Sequence, residues 1–249
     1  MRTLLRGFIS PLLTRREEIP ISSCVHYCGF RYGRGEFNPY ENYVIALSNG
    51  ESLQQVRERF EDFLQHYRPE NFGEALGISL TRAYPMWEFP WFPRSVRSCE
   101  KGGWFNSPSD VPDIITHFSK AGISRHRIDE EFSWLERAYF SIREVGYQPS
   151  RFAGHISALK LINDDGDSRY LILDGNHRMS ALVALGISRV TVAYRIHMTV
   201  RVSRYAKWPQ VVAGFYSKED ARRVFEVYFL GNLSPRTTEN AAPIISGKS

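Results

Sequence analysis

Cysteine is scarce: Cys24, Cys28 and Cys99 are the only three in 249 residues. So small and odd a number excludes a disulfide framework and suits a reducing compartment. The run Cys24-Val25-His26-Tyr27-Cys28 brings two thiols and an imidazole together. No second Cys/His pair follows at the spacing of a structural zinc site, so idle or buried thiols are expected. Internal repeats, heptads and low-complexity tracts are also missing, and no run approaches the ~20 apolar residues that would cross a bilayer. Near the N-terminus Leu4, Leu5, Phe8, Ile9, Leu12 and Leu13 recur at helical spacing among Arg2, Arg6, Arg15 and Arg16. Arg6 interrupts the apolar run a secretory signal requires. A basic amphipathic segment over 2–16, kinked at Pro11, suits either docking on the core or peripheral contact with an anionic membrane. The expected location is cytoplasmic, with membrane association through 2–16 as the variant.

What the chain has is ordinary for a globular protein in hydrophobic (43%) and charged (24%) content, and unusual in aromatics at 14%. Its length buries one substantial core, or one core with a smaller appendage. The net charge of +5 and pI of about 9.1 favour polyanionic partners without separating nucleic acid, lipid and nucleotide phosphate.

Periodicity divides the chain. Residues 24–43 are rich in glycine and aromatics and read as loop with short strands. Asn49-Gly50-Glu51-Ser52 is a turn with Ser52 as N-cap, followed by an amphipathic helix over 53–67 that carries Leu53, Val56, Phe60, Phe63, Leu64 and Tyr67. Pro85, Pro90 and Pro93 exclude regular structure from the aromatic stretch between Tyr84 and Trp104, read as a rigid aromatic surface. A second helix is predicted over 130–145, with Phe132, Leu135, Tyr139, Phe140 and Ile142 inward and Gly146 closing it. Then come a strand over 156–162, a turn over 163–167, a partner strand over 169–173, a helix over 178–185 stopped by Gly186, and a strand over 190–194. A helix before Phe229 buries Ala221, Val224, Phe225 and Tyr228, and the tail from Ser234 is expected to be disordered. The fold class is α/β (α+β): a small mixed sheet with packed helices. The expected regions are 1–108, aromatic-rich and facing substrate or partner; 109–200, the core; 201–233, a helical extension; and 234–249, the tail.

The chemistry concentrates in Asp174-Gly175-Asn176-His177-Arg178, where a strand runs through a glycine turn into a helix. The first N–H groups of a helix have no partners within it and carry the positive end of its dipole, which together attract anions. Gly175 lets phosphate approach the backbone, and Asn176, His177 and Arg178 add donors, Arg178 with a permanent charge. Asp174 is the carboxylate available to Mg²⁺ or to a hydroxyl that attacks. The same residues also fit a plain turn.

The stretch 156–194, "ISALKLINDDGDSRYLILDGNHRMSALVALGISRVTVAY", resembles the core of the ParB/sulfiredoxin superfamily. The likeness covers roughly 110–200 and is specific over 170–195. It implies a fold that holds nucleotide phosphates in this box. Sulfiredoxins carry a cysteine where this chain has Asn176, and chromosome-partitioning ParB proteins carry an acidic box and a helix-turn-helix that this chain lacks. The superfamily's free-serine kinases, with Asp-Gly-His-His-Arg, are most similar: Asp174, Gly175, His177 and Arg178 match and Asn176 departs. The resemblance therefore implies a nucleotide-dependent kinase using ATP or ADP with Mg²⁺. Its catalytic residues would be Asp174 and His177, and its phosphate-binding residues Gly175, Asn176, His177 and Arg178. Those kinases also use a glutamate base; Glu88, Glu130 and Glu131 are the candidates, and His155 could face the phosphates. Arg31, with the aromatics around it, and Trp87, Phe89, Trp91, Phe92 and Trp104 suggest a substrate surface. Residues 208–214 resemble ParB-like proteins of bacterial surface-polysaccharide gene clusters, which implies a sugar or glycan-precursor acceptor. A nucleotide-gated binding module is the alternative, and a DNA-binding or nuclease protein is less favoured.

Overall fold

The computed structural model describes residues 14–33, 35–93, 125–150 and 154–231. Their frame is a six-stranded mixed sheet. The strands are β1 (Thr14–Pro20), β2 (Cys24–Val25), β3 (Ile156–Ile162), β4 (Ser168–Asp174), β5 (Arg189–Arg195) and β6 (Val200–Arg201). The main order is β1-β5-β3-β4-β2, with β6 continuing beside β3 beyond β5. β3 and β4 form the predicted hairpin, antiparallel across the turn at Asn163–Asp167. The mixed α/β class expected from the sequence is thus observed.

Alternation along β3 and β4 gives the sheet two buried faces. Ile156, Ala158, Tyr170 and Ile172 pack beneath helix α5 (Asn176–Ala184) with Met179, Leu182 and Val183. Leu159, Leu161 and Leu171 turn to the other face, where Trp87, Phe89, Trp91, Trp208, Phe225 and Tyr228 enclose them. Outside α5 lie α1 (Pro39–Ser48), α2 (Leu53–His66) and α4 (Arg125–Val145), whose apolar stripes meet around Tyr43, Phe60, Phe132 and Leu135. Short helices α3 (Phe72–Ala75) and α6 (Pro209–Val212) and the longer α7 (Lys218–Leu230) complete the aromatic side. α7 buries Ala221, Val224, Phe225 and Tyr228, as its spacing predicts.

Several expectations need correction. Residues 24–43 are not all loop: Asn38 caps α1 through its side chain, and Pro39 takes the first helical position, where its missing N–H has no cost. Thr14, Arg15 and Arg16, assigned to an amphipathic segment, lie in β1 and pair with β5; residues 2–13 lie outside the described residues. β1 and β2 belong to the central sheet. Ser52 occupies the N-cap of α2 but makes no capping bond with its side chain. α4 begins at Arg125 rather than at 130, and its Phe140 is exposed under the Arg143 guanidinium, 4.9 Å from the ring centre. Leu53, in the first turn of α2, is exposed as well. Trp87, Phe89 and Trp91 offer no open stacking surface, because each is buried in the core. The same holds for His26, Cys28, Phe30 and Tyr32. Cys99, Trp104 and the tail from Ser234 lie outside the described residues. Among those described, no helix is long and apolar enough to cross a membrane.

Candidate functional site

The box stands where β4 ends. The β3–β4 register shifts between Ser157 and Ala158, so that Ser157 faces Asp174 while Ala158 faces Ile172. Leu173 is the extra residue of this bulge, a device that re-aims the side chains beyond it. Asp174 emerges exposed. Gly175 follows in the left-handed region at φ +96°, where a residue with a Cβ is disfavoured. A Cβ there would also stand 2.9 Å from both Ile156 Cγ1 and Arg178 Nη2.

α5 begins without a side-chain cap. Its first ladder bond runs from Met179 N–H to the Gly175 carbonyl at 2.9 Å. The N–H groups of Asn176, His177 and Arg178 therefore precede the ladder, at the positive end of the helix. The Tyr32 hydroxyl donates to Asn176 Oδ1 at 2.7 Å, which fixes the amide and leaves Nδ2 without a partner among the described residues. Burial pushes the Tyr32 hydroxyl well above its ordinary pKa, reinforced by neighbouring Tyr27 and Glu41, so it stays a donor.

The Arg178 guanidinium folds back over Gly175. Nη1 donates to the Gly154 carbonyl at 2.5 Å and Nη2 to Asp174 at 3.3 Å. The Asp174 side chain is 71% exposed, so this second contact contributes little to stability. Tyr147 closes the floor by accepting the Ile156 N–H at 3.0 Å. Burial raises its phenol pKa, against the lowering effects of that hydrogen bond and of Arg178.

His177 turns toward α4. Its Nε2 lies 2.7 Å from Glu131 Oε2, and Arg127 Nη2 donates to Oε1 of the same carboxylate at 2.9 Å. Glu131 is buried, not solvated as a helix-opening glutamate would be. Arg127 lies over Trp134, 4.5 Å from the ring centre, and the Trp134 and His177 rings are 5.6 Å apart. With a carboxylate at Nε2, the proton belongs on that nitrogen, and Nδ1 remains to exchange one.

Of the residues predicted from sequence, Asp174 to Arg178 and Glu131 come together, and His155 adjoins them. His155 follows the Gly154 carbonyl that holds Arg178, and its Nδ1 is buried with no partner among the described residues. Glu88 and Arg31 are not brought to the box. Glu88 Oε2 accepts from Gln210 at 2.9 Å within the aromatic side, and Arg31 Nη2 donates to the Phe229 carbonyl at 2.5 Å. Glu130 pairs with Arg127 at 3.4 Å. Sequence reasoning missed Tyr32, Tyr147, Gly154 and Arg127. Only Arg127 carried a local signal, four residues before Glu131 on one helix.

The residues fit a phosphate. Three N–H groups and an amide stand beside a glycine whose missing side chain leaves room for the Arg178 guanidinium to fold over it. Mg²⁺ is less well provided for. Asp174 places an exposed carboxylate at the mouth, and among the described residues no group of three or more acidic, His or Cys side chains could hold a metal. A divalent ion there would take its remaining oxygen ligands from a bound phosphate and water. Two clefts of about 710 Å³ lie elsewhere, one along α4 and one beside β6, and neither includes a box residue. The box is an open turn. No protein-family model, curated protein or solved structure matches this chain.

Proposed function

We propose that the protein is a nucleotide-dependent phosphotransferase acting on a small hydroxyl compound such as a sugar or glycan precursor. Its box would be used as in the ParB/sulfiredoxin-type kinases it resembles. The observation that supports this reading is the buried Glu131 carboxylate 2.7 Å from His177 Nε2, set beside the unpartnered first turn of α5. A plain turn has no need of a histidine held in one tautomer by a buried carboxylate.

The residues divide the work. The N–H groups of Asn176, His177 and Arg178, with Asn176 Nδ2 and Arg178, hold phosphate oxygens. Asp174 would be the residue to hold Mg²⁺, which would supply charge neutralisation for phosphoryl transfer. His177 Nδ1 takes the proton of the acceptor hydroxyl. The acceptor oxygen then bonds to phosphorus as the bond to the leaving phosphate breaks, and Glu131 stabilises the resulting imidazolium.

Arg178 favours a second reading. It is already engaged by Gly154 and Asp174, so a phosphate that recruited it would release both and shift the entry to β3, which is the behaviour of a nucleotide-gated module.

Thermal unfolding of the wild type and Arg178→Ala against ATP, ADP, CTP and GTP, with and without Mg²⁺, tests the site. Nucleotide at a hundred times its Kd stabilises by about 2.7 kcal/mol. A shift with one nucleotide, lost in Arg178→Ala, is expected; no shift with any of the four sinks both readings. Phosphoryl transfer that persists at full rate in His177→Ala removes the first and leaves the box as a binding element.

A further inference from the structure

Charge is unevenly distributed along the chain. From Gly175 to Lys218, a run of 44 residues, there is no aspartate or glutamate, while seven arginines and lysines occur. With 32 basic and 27 acidic residues in all, this run alone turns an otherwise slightly acidic protein basic.

The fold gathers part of that charge on one rim. After β5 the chain turns at Ile196–Met198, pairs as β6 with the far end of β3, and continues as a 3₁₀ helix over Val202–Lys207. Three residues per turn brings every third side chain into line, about 6 Å apart along the axis. Val202 and Trp208 are buried and Tyr205 between them is half-buried, while Arg204 and Lys207 line up outside and Arg201 precedes them at the end of β6, all three exposed. Together with His197 they rim the cleft of about 710 Å³ beside β6, whose walls include Trp91, Phe92 and Met198.

None of these four side chains makes an ion pair or hydrogen bond to another described residue. The contrast with other arginines is plain: Arg222 meets Asp164 and Glu226, Arg189 meets Glu18, and Arg57 meets Glu136. Neighbouring cations about 6 Å apart lie within the Debye length of about 8 Å at physiological salt and repel one another unless an anion joins them. Trp91, on the wall, is 6% exposed, and its indole N–H is buried with no partner among the described residues.

We propose that this cleft is a second anion site, distinct from the box, that takes a linear oligophosphate: a chain of phosphate groups laid along Arg201, Arg204 and Lys207. The sheet separates the two sites. Ile156 lies against Gly175, whereas β6 pairs with Leu161 and Ile162 at the other end of β3, about 20 Å away at 3.3 Å per residue. The proposal does not depend on phosphotransfer at the box.

Tripolyphosphate and a single-stranded oligothymidylate of eight nucleotides serve as probes, with binding followed by calorimetry on the full chain. The variants are Arg201→Gln/Arg204→Gln/Lys207→Gln together, Lys207→Glu alone, and Arg178→Ala. All three cleft cations are exposed, so unchanged thermal unfolding is the check that the triple variant is folded. At least one probe is expected to bind, to lose tenfold or more of its affinity in the triple variant, to weaken in Lys207→Glu, and to keep wild-type affinity in Arg178→Ala. Tripolyphosphate alone binding identifies a free oligophosphate; oligothymidylate binding identifies a phosphodiester chain. In the latter case three phosphate contacts imply a loss of about 20-fold between 50 and 200 mM salt. Equal binding by the triple variant, loss in Arg178→Ala instead, or no binding of either probe overturns the proposal.

Discussion

Replacing Glu131 by alanine removes a carboxylate that two helices share. Its oxygens accept from Arg127 on its own helix at 2.9 Å and from His177 on α5 at 2.7 Å, and its side chain is 4% exposed. Bonds of this charge-assisted kind contribute about 1.5–3 kcal/mol each, and removing one member of a buried ion pair costs about 3–5 kcal/mol. Arg127 is left least favourably placed, largely covered and stacked on Trp134, with its longer contact to Glu130 at 3.4 Å remaining. His177, at 28% exposure, regains some water, which holds the loss to the lower part of that range, about 3–4 kcal/mol. In a chain of this size each kcal/mol moves Tm by about 2–4 °C, so a drop of about 6–16 °C is expected. Glu131→Gln keeps the volume and an acceptor for Arg127 and should lose only about 1–2 kcal/mol. Calorimetric unfolding of the three proteins gives the comparison. A Glu131→Ala protein melting within a degree of the wild type would refute the claim that this carboxylate ties α4 to the box.

Two further outcomes follow from local geometry. Gly50 and Gly175 both lie at positive φ, but a Cβ at Gly50 meets nothing within 4 Å, whereas at Gly175 it meets the buried Ile156 at 2.9 Å. Gly50→Ala should cost about 1–2 kcal/mol, and Gly175→Ala about 1–3 kcal/mol more, by urea unfolding; equal losses would contradict the crowding at the box. Asp220, in the first turn of α7, is buried, which acts to raise its pKa. Hydrogen bonds from Thr81, Tyr84 and Ser217 outweigh that and hold it below the ordinary 3.8. The unfolded chain therefore takes up this proton at higher pH than the folded one. The stabilisation is complete above pH about 5 and is lost as pH falls through 3.8 and below. Tm against pH should lose that part of its acid slope in Asp220→Asn, and an unchanged slope would place the acid sensitivity elsewhere.

Elements whose pattern is local were readable in advance. β3 was predicted over 156–162 and runs from Ile156 to Ile162, because both its faces are buried and Gly166 marks the hairpin. The inward set of α7 followed from 3.6-residue spacing alone. β1 was hidden because its sequence, TRREEIP, is that of a charged edge strand, polar by design against unwanted pairing. α1 was hidden by glycines and aromatics just before it, although Asn38-Pro39 is a sound start signal. The aromatics from Tyr84 to Phe92 read as a surface because what covers them arrives more than a hundred residues later: Trp208, Phe225 and Tyr228. Within the site, Asp174 to Arg178 stood out through turn chemistry. Tyr32, Gly154 and Tyr147 come from separate segments, and no spacing rule connects them to the box.

The strand order has a consequence for synthesis. β1 and β2, both made early, form the two outer edges of a sheet whose centre is drawn from residues 156–195. At about 5–20 residues per second, roughly 10–35 s separate the emergence of Thr14 from that of its partner Arg195. Through that interval the aromatic cluster around Trp87 has neither the sheet to rest on nor α7 to cover it. A chain interrupted after residue 93 and before 156 would carry two unpaired strands and an uncovered apolar surface. The folding rate should therefore depend on the arrival of β5 more than on any event in the first half of the chain.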